Sequence, residues 1–210
     1  MTAAGASGRV RVKVCGVTRA SDAVMVEAAG ADAIGVIFAA GSRRRVDLAQ
    51  AADVLAPLGP FIARVGVFVD PTPSEVDAAI SQLRLQVVQV HGAVAADVRD
   101  AVRGRAALVR AVSWGQAFDA DEVAAWPVDA VLVDGPRAGS GERFDWTEAA
   151  VLARLPRWVL AGGLDPLNVA DAIARLRPYA VDVASGVEAS PGIKDATKVA
   201  AFMAAVRAAG

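Results

Sequence analysis

The sequence predicts a single (β/α)8 barrel, an α/β fold in which eight parallel strands alternate with helices. Short aliphatic runs recur at regular intervals, and a helical pattern follows each of them. Strands that alternate with helices pair in parallel through right-handed crossovers. Eight such units close a barrel, and 210 residues lie near the lower end of its size range. A flavodoxin-like sheet needs fewer units, and the first strand lacks the glycine fingerprint of a Rossmann fold.

The composition is that of a globular protein with a large core. Hydrophobic residues make up 55% of the chain and charged residues 21%, so disorder is not expected. A net charge of −1 gives no overall attraction to nucleic acid or to an anionic membrane. No apolar run approaches the ~18 residues that a membrane span needs. We therefore expect one barrel domain over residues 1–210, with residues 1–8 as a flexible tail and with neither nucleic acid nor membrane as a partner.

The cysteine content and the first residues predict a cytoplasmic protein. Residues 1–8 are small and polar and lack the apolar segment of a secretory signal. The single cysteine, Cys15, excludes a disulfide framework and a cysteine-based zinc cluster.

The first four units are read from apolar strands and from residues that begin or end helices. Gly30 ends the first helix, and Asp47 is a good N-cap for the second. Thr72 and Glu75 form a capping box that opens the third. The predicted strands cover residues 11–16, 33–38, 65–69 and 87–90, and the predicted helices cover residues 18–30, 48–58, 74–83 and 95–103.

The last four units follow the same alternation. Three aliphatic residues at 131–133 predict a short buried strand, which ends at Asp134 and opens into a glycine-rich loop over residues 135–141. Asp165 and Pro166 cap and start the seventh helix. The predicted strands cover residues 107–112, 131–133, 158–161 and 180–184, and the predicted helices cover residues 119–125, 146–155, 167–176 and 195–208.

The strand ends supply the candidate site residues, because barrel active sites lie at the C-terminal ends of the strands. Two pairs after strands seven and eight, Gly162-Gly163 and Ser185-Gly186, suit backbone N–H groups that bind a phosphate. Tight turns without a ligand are the alternative. The strand-end residues are Cys15, Arg43, Arg44, Arg45, Asp70, His91, Asp134, Gly162, Gly163, Ser185 and Gly186.

Several of these residues also have a purely structural interpretation. Asp134 can cap its own turn, and a lone cysteine such as Cys15 can be a small buried hydrophobe. His91 cannot form a metal site without partners, so we interpret it as a hydrogen-bonded or peripheral residue and predict no metal. One of the arginines at 43–45, if it faces inward, would suit a carboxylate.

Eight short segments of the sequence stand out as motifs. They are residues 13–18 (KVCGVT), 29–32 (AGAD), 65–69 (VGVFV), 88–92 (VQVHG), 144–146 (FDW), 160–164 (LAGGL), 181–188 (VDVASGVE) and 190–195 (SPGIKD). Together they resemble phosphoribosylanthranilate isomerase, a barrel enzyme of tryptophan biosynthesis, whose opening motif is K-[IV]-C-G-[LIV]-T. The resemblance covers about residues 10–208.

The resemblance implies an Amadori rearrangement without cofactor or metal. N-(5'-phosphoribosyl)anthranilate would become 1-(2-carboxyphenylamino)-1-deoxyribulose 5-phosphate, with Cys15 as general base and Asp134 as general acid. The two roles fit the chemistry, because ring opening needs a proton on the ring oxygen and the enolamine needs the C2 proton removed. A cysteine base must ionise, so we expect the site to favour the thiolate, through an arginine and backbone N–H groups.

The resemblance also implies the substrate-binding residues. Residues 42–46 read SRRRV where the family has S-P-R-x-V, so Arg44 takes the anthranilate carboxylate. Arg43 replaces the usual Pro, which leaves open which arginine makes the contact. The expected phosphate-binding residues are Gly162, Gly163, Ser185 and Gly186. We expect Asp182 to bind the substrate as well.

Two other functions stay open. The first is the related aminoaldose isomerase of histidine biosynthesis, which has Asp where this chain has Cys15. The second is a phosphosugar-binding protein without activity, against which Cys15 and Asp134 argue. The expected partner is a small phosphosugar, and the chain is expected to be a monomer or a homodimer.

Overall fold

Eight parallel strands form one closed barrel in a computed structural model that describes residues 9–115, 118–135, 151–152, 154–155 and 157–209. The strands follow one another around the barrel in chain order, and the last pairs with the first, with Val14 opposite Val183. The predicted fold class is therefore confirmed. The strands are β1 (Arg11–Cys15), β2 (Ala33–Ile37), β3 (Ala63–Val69), β4 (Val87–His91), β5 (Ala107–Ser113), β6 (Ala130–Asp134), β7 (Trp158–Leu160) and β8 (Ala180–Val183).

The helices begin where local capping groups satisfy their first N–H groups. Thr72 Oγ1 accepts from the Glu75 N–H, and the Glu75 carboxylate accepts from the Thr72 N–H, as the predicted capping box requires. The helix predicted over residues 167–176 starts two residues later, at Val169, because Asp165 caps the N–H groups of Leu167 and Asn168 in a separate turn. The described helices are α1 (Ala20–Ala28), α2 (Leu48–Leu55), α3 (Pro73–Leu83), α4 (Ala96–Val102), α5 (Ala120–Ala124), α6 (Val169–Leu176) and α7 (Ala196–Ala209).

A short hairpin after β8 was not predicted. A 3-10 turn (Ser185–Val187) leads into β9 (Glu188–Ser190), which pairs with β10 (Ile193–Lys194) in antiparallel fashion. Strands of two and three residues are too short to show a periodic pattern, which is why sequence analysis identified this segment only as a motif.

Three predicted segments lie wholly or largely outside the described residues. They are the tail at residues 1–8, the loop at residues 136–141 and the helix at residues 146–155. Among the helices of the described part, none has both the length and the apolar character of a membrane span.

Alternate side chains along each strand pack either outward against the helices or inward within the barrel. Outward residues such as Ile34 and Val88 belong to the main hydrophobic core. Inward residues include the small apolar Ala111 and the buried polar side chains of Lys13 and Gln89. Small and polar side chains fill the upper barrel incompletely, and this leaves a cavity at the C-terminal ends of the strands.

Candidate active site

The cavity has a volume of about 610 Å³. Two catalytic and six substrate-binding residues were predicted, and seven of these eight line the cavity. They are Cys15, Arg44, Asp134, Gly162, Gly163, Asp182 and Ser185. A larger depression of about 1020 Å³ lies at the opposite end of the barrel, and neither Cys15 nor Asp134 reaches it. The smaller cavity is therefore the candidate active site, because it combines a thiol, a carboxyl group and a guanidinium.

Cys15 is the last residue of β1, and its side chain faces the barrel interior. Gly35 on β2 leaves the necessary room, because an added Cβ there would lie 2.9 Å from Cys15 Sγ. Burial raises the pKa of the Cys15 thiol, whereas the ammonium groups of Lys13 and Lys194 oppose that rise. Arg44 also interacts favourably with an ionised Cys15, so the expected arginine contributes positive charge, together with two lysines that were not predicted.

Lys13 forms a buried ion pair with Asp182 at the interface of β1 and β8. Its Nζ donates to Asp182 Oδ2 at 2.9 Å, and the two residues are register partners. Burial alone would lower the pKa of Lys13, but Asp182 and Cys15 raise it to about 12, so the ammonium persists at neutral pH. Asp182 Oδ1 is buried and has no hydrogen-bond partner among the described residues, which leaves it as an acceptor for a ligand hydroxyl.

Asp134 is the last residue of β6 and is buried at the cavity wall. Its Oδ1 accepts from the Gly135 N–H at 2.8 Å, so the carboxyl group both caps its turn and borders the cavity. Gly162 packs closely against it: an added Cβ would clash with the Gly135 nitrogen and lie 3.0 Å from Asp134 Oδ1. The loops after β6 and β7 are therefore in direct contact at this point.

Arg44 differs from its two arginine neighbours. Its Nε and Nη2 donate to the two carboxylate oxygens of Glu188 at 2.8 and 2.7 Å, and only 11% of its side chain is exposed. Arg43 also lines the cavity, but Arg43 and Arg45 are both exposed. Of the three arginines, Arg44 is thus the one held in a single orientation at the cavity.

The two predicted phosphate-binding pairs occupy different positions. Gly162 and Gly163 have φ values of 88° and 65°, which favour glycine, and both line the cavity with Ser185. Gly186 is not part of the cavity wall, and an added Cβ there would clash with the carbonyl oxygen of Leu164. Three of the four residues therefore border the cavity, and the Cα of Gly186 packs against the loop after β7.

A family model described as N-(5'phosphoribosyl)anthranilate (PRA) isomerase matches residues 12–205. The chain belongs to this family. The N-(5'-phosphoribosyl)anthranilate isomerase of Deinococcus radiodurans is 44% identical over 206 residues, which cover 95% of this chain and 98% of that relative.

Solved structures agree with the family assignment. The phosphoribosyl anthranilate isomerase of Thermus thermophilus has a TM-score of 0.88 at 43% identity, covering 95% of this chain and 99% of that one. A second phosphoribosyl anthranilate isomerase is in complex with reduced 1-(o-carboxyphenylamino)-1-deoxyribulose 5-phosphate. Its TM-score is 0.84 at 35% identity, with the same coverage of 95% and 99%.

His91 has a hydrogen-bond partner, as one of our two interpretations of the sequence expects, but it is not peripheral. It is the last residue of β4 and lines the cavity, with its Nε2 3.0 Å from Nε2 of Gln89. Burial lowers the pKa of His91, and the charge of Lys13 lowers it further, so the imidazole is neutral at pH 7. Within the described residues, no cluster of three or more His, Cys, Asp or Glu side chains could hold a metal ion.

Sequence reasoning missed Lys13, Glu188 and Lys194. Lys13 could have been found, because it lies two residues before Cys15 on the same strand and must share its face. Glu188 and Lys194 were noticed only as parts of motifs, since their partners lie far away along the chain.

Proposed function

We propose that this protein isomerises N-(5'-phosphoribosyl)anthranilate to 1-(2-carboxyphenylamino)-1-deoxyribulose 5-phosphate in tryptophan biosynthesis. One observation carries the proposal: Cys15 and Asp134, the last residues of β1 and β6, both border the same cavity in a barrel of this family. A thiol and a carboxyl group can supply the two proton transfers that the reaction requires. No redox or hydride step is involved, so we propose no cofactor.

Asp134 acts as the general acid in the first step. Its proton passes to the ring oxygen of the ribose while the bond from C1 to that oxygen breaks, which leaves a protonated imine at C1. The carboxylate that remains accepts the Gly135 N–H at 2.8 Å. A hydrogen bond to the charged form stabilises it and so assists proton release.

Cys15 acts as the general base in the second step. Its thiolate takes the proton from C2, and the electron pair of that bond forms the C1=C2 double bond of the enolamine as the imine nitrogen is neutralised. The enolamine then tautomerises to the ketone: C1 takes a proton from solvent, and the C2 hydroxyl loses its proton. The nearby ammonium of Lys13 stabilises the thiolate, because an adjacent positive charge favours the ionised form.

Three groups bind the ends and the middle of the substrate. Backbone N–H groups of Gly162, Gly163 and Ser185 bind the phosphate at the mouth of the barrel. Arg44 binds the anthranilate carboxylate with the N–H groups that Glu188 leaves unused. The second oxygen of Asp182 accepts a sugar hydroxyl.

The proposal also covers the compartment, the partners and the oligomeric state. The protein acts in the cytoplasm on a small phosphosugar, as a monomer or a homodimer, and with neither nucleic acid nor membrane as a partner. The single cysteine and the net charge of −1 support the compartment and the absence of a polyanionic partner.

The test is turnover of freshly prepared phosphoribosylanthranilate, followed by loss of its fluorescence. We expect rapid loss with the wild-type chain and none above background with Asp134→Asn. A wild-type protein that binds a reduced product analogue and shows no turnover would instead favour the inactive phosphosugar-binding protein.

A further inference from the structure

We infer that Glu188 is a positioning residue that orients the guanidinium of Arg44 toward the carboxylate of the substrate, and that Lys194 holds Glu188 in place. The inference rests on the proposed function, because it concerns the task proposed for Arg44. The proposed mechanism does not involve the Glu188–Lys194 hairpin directly, and this inference gives the hairpin a part in substrate binding.

The hairpin places Glu188 and Lys194 opposite each other on β9 and β10. Lys194 Nζ donates to Glu188 Oε1 at 2.9 Å, to the Cys15 carbonyl at 2.7 Å and to the Ala184 carbonyl at 3.1 Å. These contacts use all three donors of an ammonium group, and the side chain of Lys194 is 0% exposed. Lys194 therefore fixes Glu188 relative to the ends of β1 and β8.

Glu188 in turn fixes the guanidinium of Arg44 with two parallel hydrogen bonds, at 2.8 and 2.7 Å. The aliphatic part of Arg44 runs across Gly16, whose φ is 69° and where an added Cβ would clash with Arg44 Cδ. Both ends of the side chain are thus constrained. Of the five N–H donors of an arginine, Glu188 uses two, and three remain for a ligand in the cavity that Arg44 lines.

The charges favour a task in binding over simple bracing of the hairpin. One carboxylate, Glu188, serves two cations, Arg44 and Lys194, so the trio has one excess positive charge whenever the Cys15 thiol is protonated. Buried ion pairs often add little stability over apolar residues of the same size. A buried excess charge beside a cavity is costly unless an anion completes it, and the substrate carboxylate is such an anion.

Two ligands test this inference: the reduced product analogue, and the same compound without its carboxylate. Glu188→Gln should weaken binding of the carboxylated analogue by about tenfold, since it removes a charge-assisted contact on Arg44. Binding of the compound without a carboxylate should be nearly unchanged. A residue that only braces the fold would lower both affinities together.

A double variant and a matched control sharpen the test. If Glu188 acts through Arg44, Arg44→Ala combined with Glu188→Gln should bind the carboxylated analogue no more weakly than Arg44→Ala alone. Asp22→Asn is the control, because Asp22 is also buried, pairs with Arg19 and accepts the Lys194 backbone N–H at 2.9 Å. Asp22→Asn should lower Tm, and the variant should still bind the carboxylated analogue more tightly than the compound without a carboxylate.

Equal losses for both ligands, or additive losses in the double variant, would overturn the inference. Should Glu188→Gln fail to fold, Glu188→Asp keeps the negative charge and draws the carboxylate back from both Arg44 and Lys194 by one methylene. The same loss of preference is expected from that variant. Failure of the proposed function would be seen separately, as absence of turnover by the wild-type protein.

Discussion

Replacing Lys13 with Met should make the Cys15 thiol harder to ionise. An added Cβ on Gly35 would lie 2.9 Å from Cys15 Sγ and 3.1 Å from Lys13 Cε, so these two atoms are at most about 6 Å apart. The charge of Lys13 lies on Nζ, one bond beyond Cε, so the two charges are at most about 7.5 Å apart, and at an effective dielectric constant of about 20 they interact by about 2 kcal/mol. Losing this interaction should lower the thiolate population at a given pH by about thirtyfold.

Cys15 is the only cysteine in the chain, so the pH dependence of its alkylation by iodoacetamide reports its ionisation directly. The alkylation profile of Lys13→Met should move to higher pH, and kcat/KM near neutral pH should fall by a similar factor. Asp182→Asn is the control of opposite sign, because the Asp182 carboxylate opposes the thiolate. An alkylation profile that Lys13→Met leaves unchanged would refute the charge argument.

Three further predictions concern binding and stability. Arg44→Ala should weaken binding of the carboxylated product analogue by about 2–3 kcal/mol, and the exposed Arg43 and Arg45 should matter much less when changed to Ala; a larger effect at Arg43 would contradict the assignment. Gly186→Ala should destabilise the protein by about 1–3 kcal/mol, because its Cβ would clash with the loop after β7, and an unchanged Tm would argue against that packing. Burial opposes ionisation of Glu188, but Arg44 and Lys194 lower its pKa below the ordinary 4.5; its stabilising effect is therefore present above pH 4.5 and is lost as the pH falls through the lowered value. The gap in urea midpoint between wild type and Glu188→Gln should accordingly narrow on acidification, and a constant gap would contradict the ion pairing.

The barrel could be predicted because its signals are local. Aliphatic runs and capping residues such as Thr72 and Asp47 act within a few residues of the elements that they define, and both predicted caps form. The residues that line the cavity could also be predicted, because the C-terminal ends of parallel strands meet at one face of a barrel. That is how Cys15 and Asp134 could be placed together although they lie 119 positions apart in the numbering.

The ion-pair partners could not be predicted, because nothing local specifies them. Arg44 and Glu188 lie 144 positions apart, and Lys13 and Asp182 lie 169 apart. The resemblance gave Arg44 a substrate carboxylate but did not indicate that a protein carboxylate already holds it. Burial raises the pKa of Cys15, whereas the sequence led us to expect a site that favours the thiolate. The size of this effect depends on how completely the barrel encloses the thiol.

The central claim is that Cys15 acts as a base, and turnover by Cys15→Ser tests it most directly. A hydroxyl cannot ionise usefully at pH 7, so this variant should lose at least about 10²-fold in kcat and be nearly as inactive as Cys15→Ala. Its affinity for the reduced product analogue should stay close to that of the wild type, because the thiol is not assigned to binding. A Cys15→Ser enzyme that keeps more than about a tenth of the wild-type kcat would contradict the claim and leave the thiol as a packing residue.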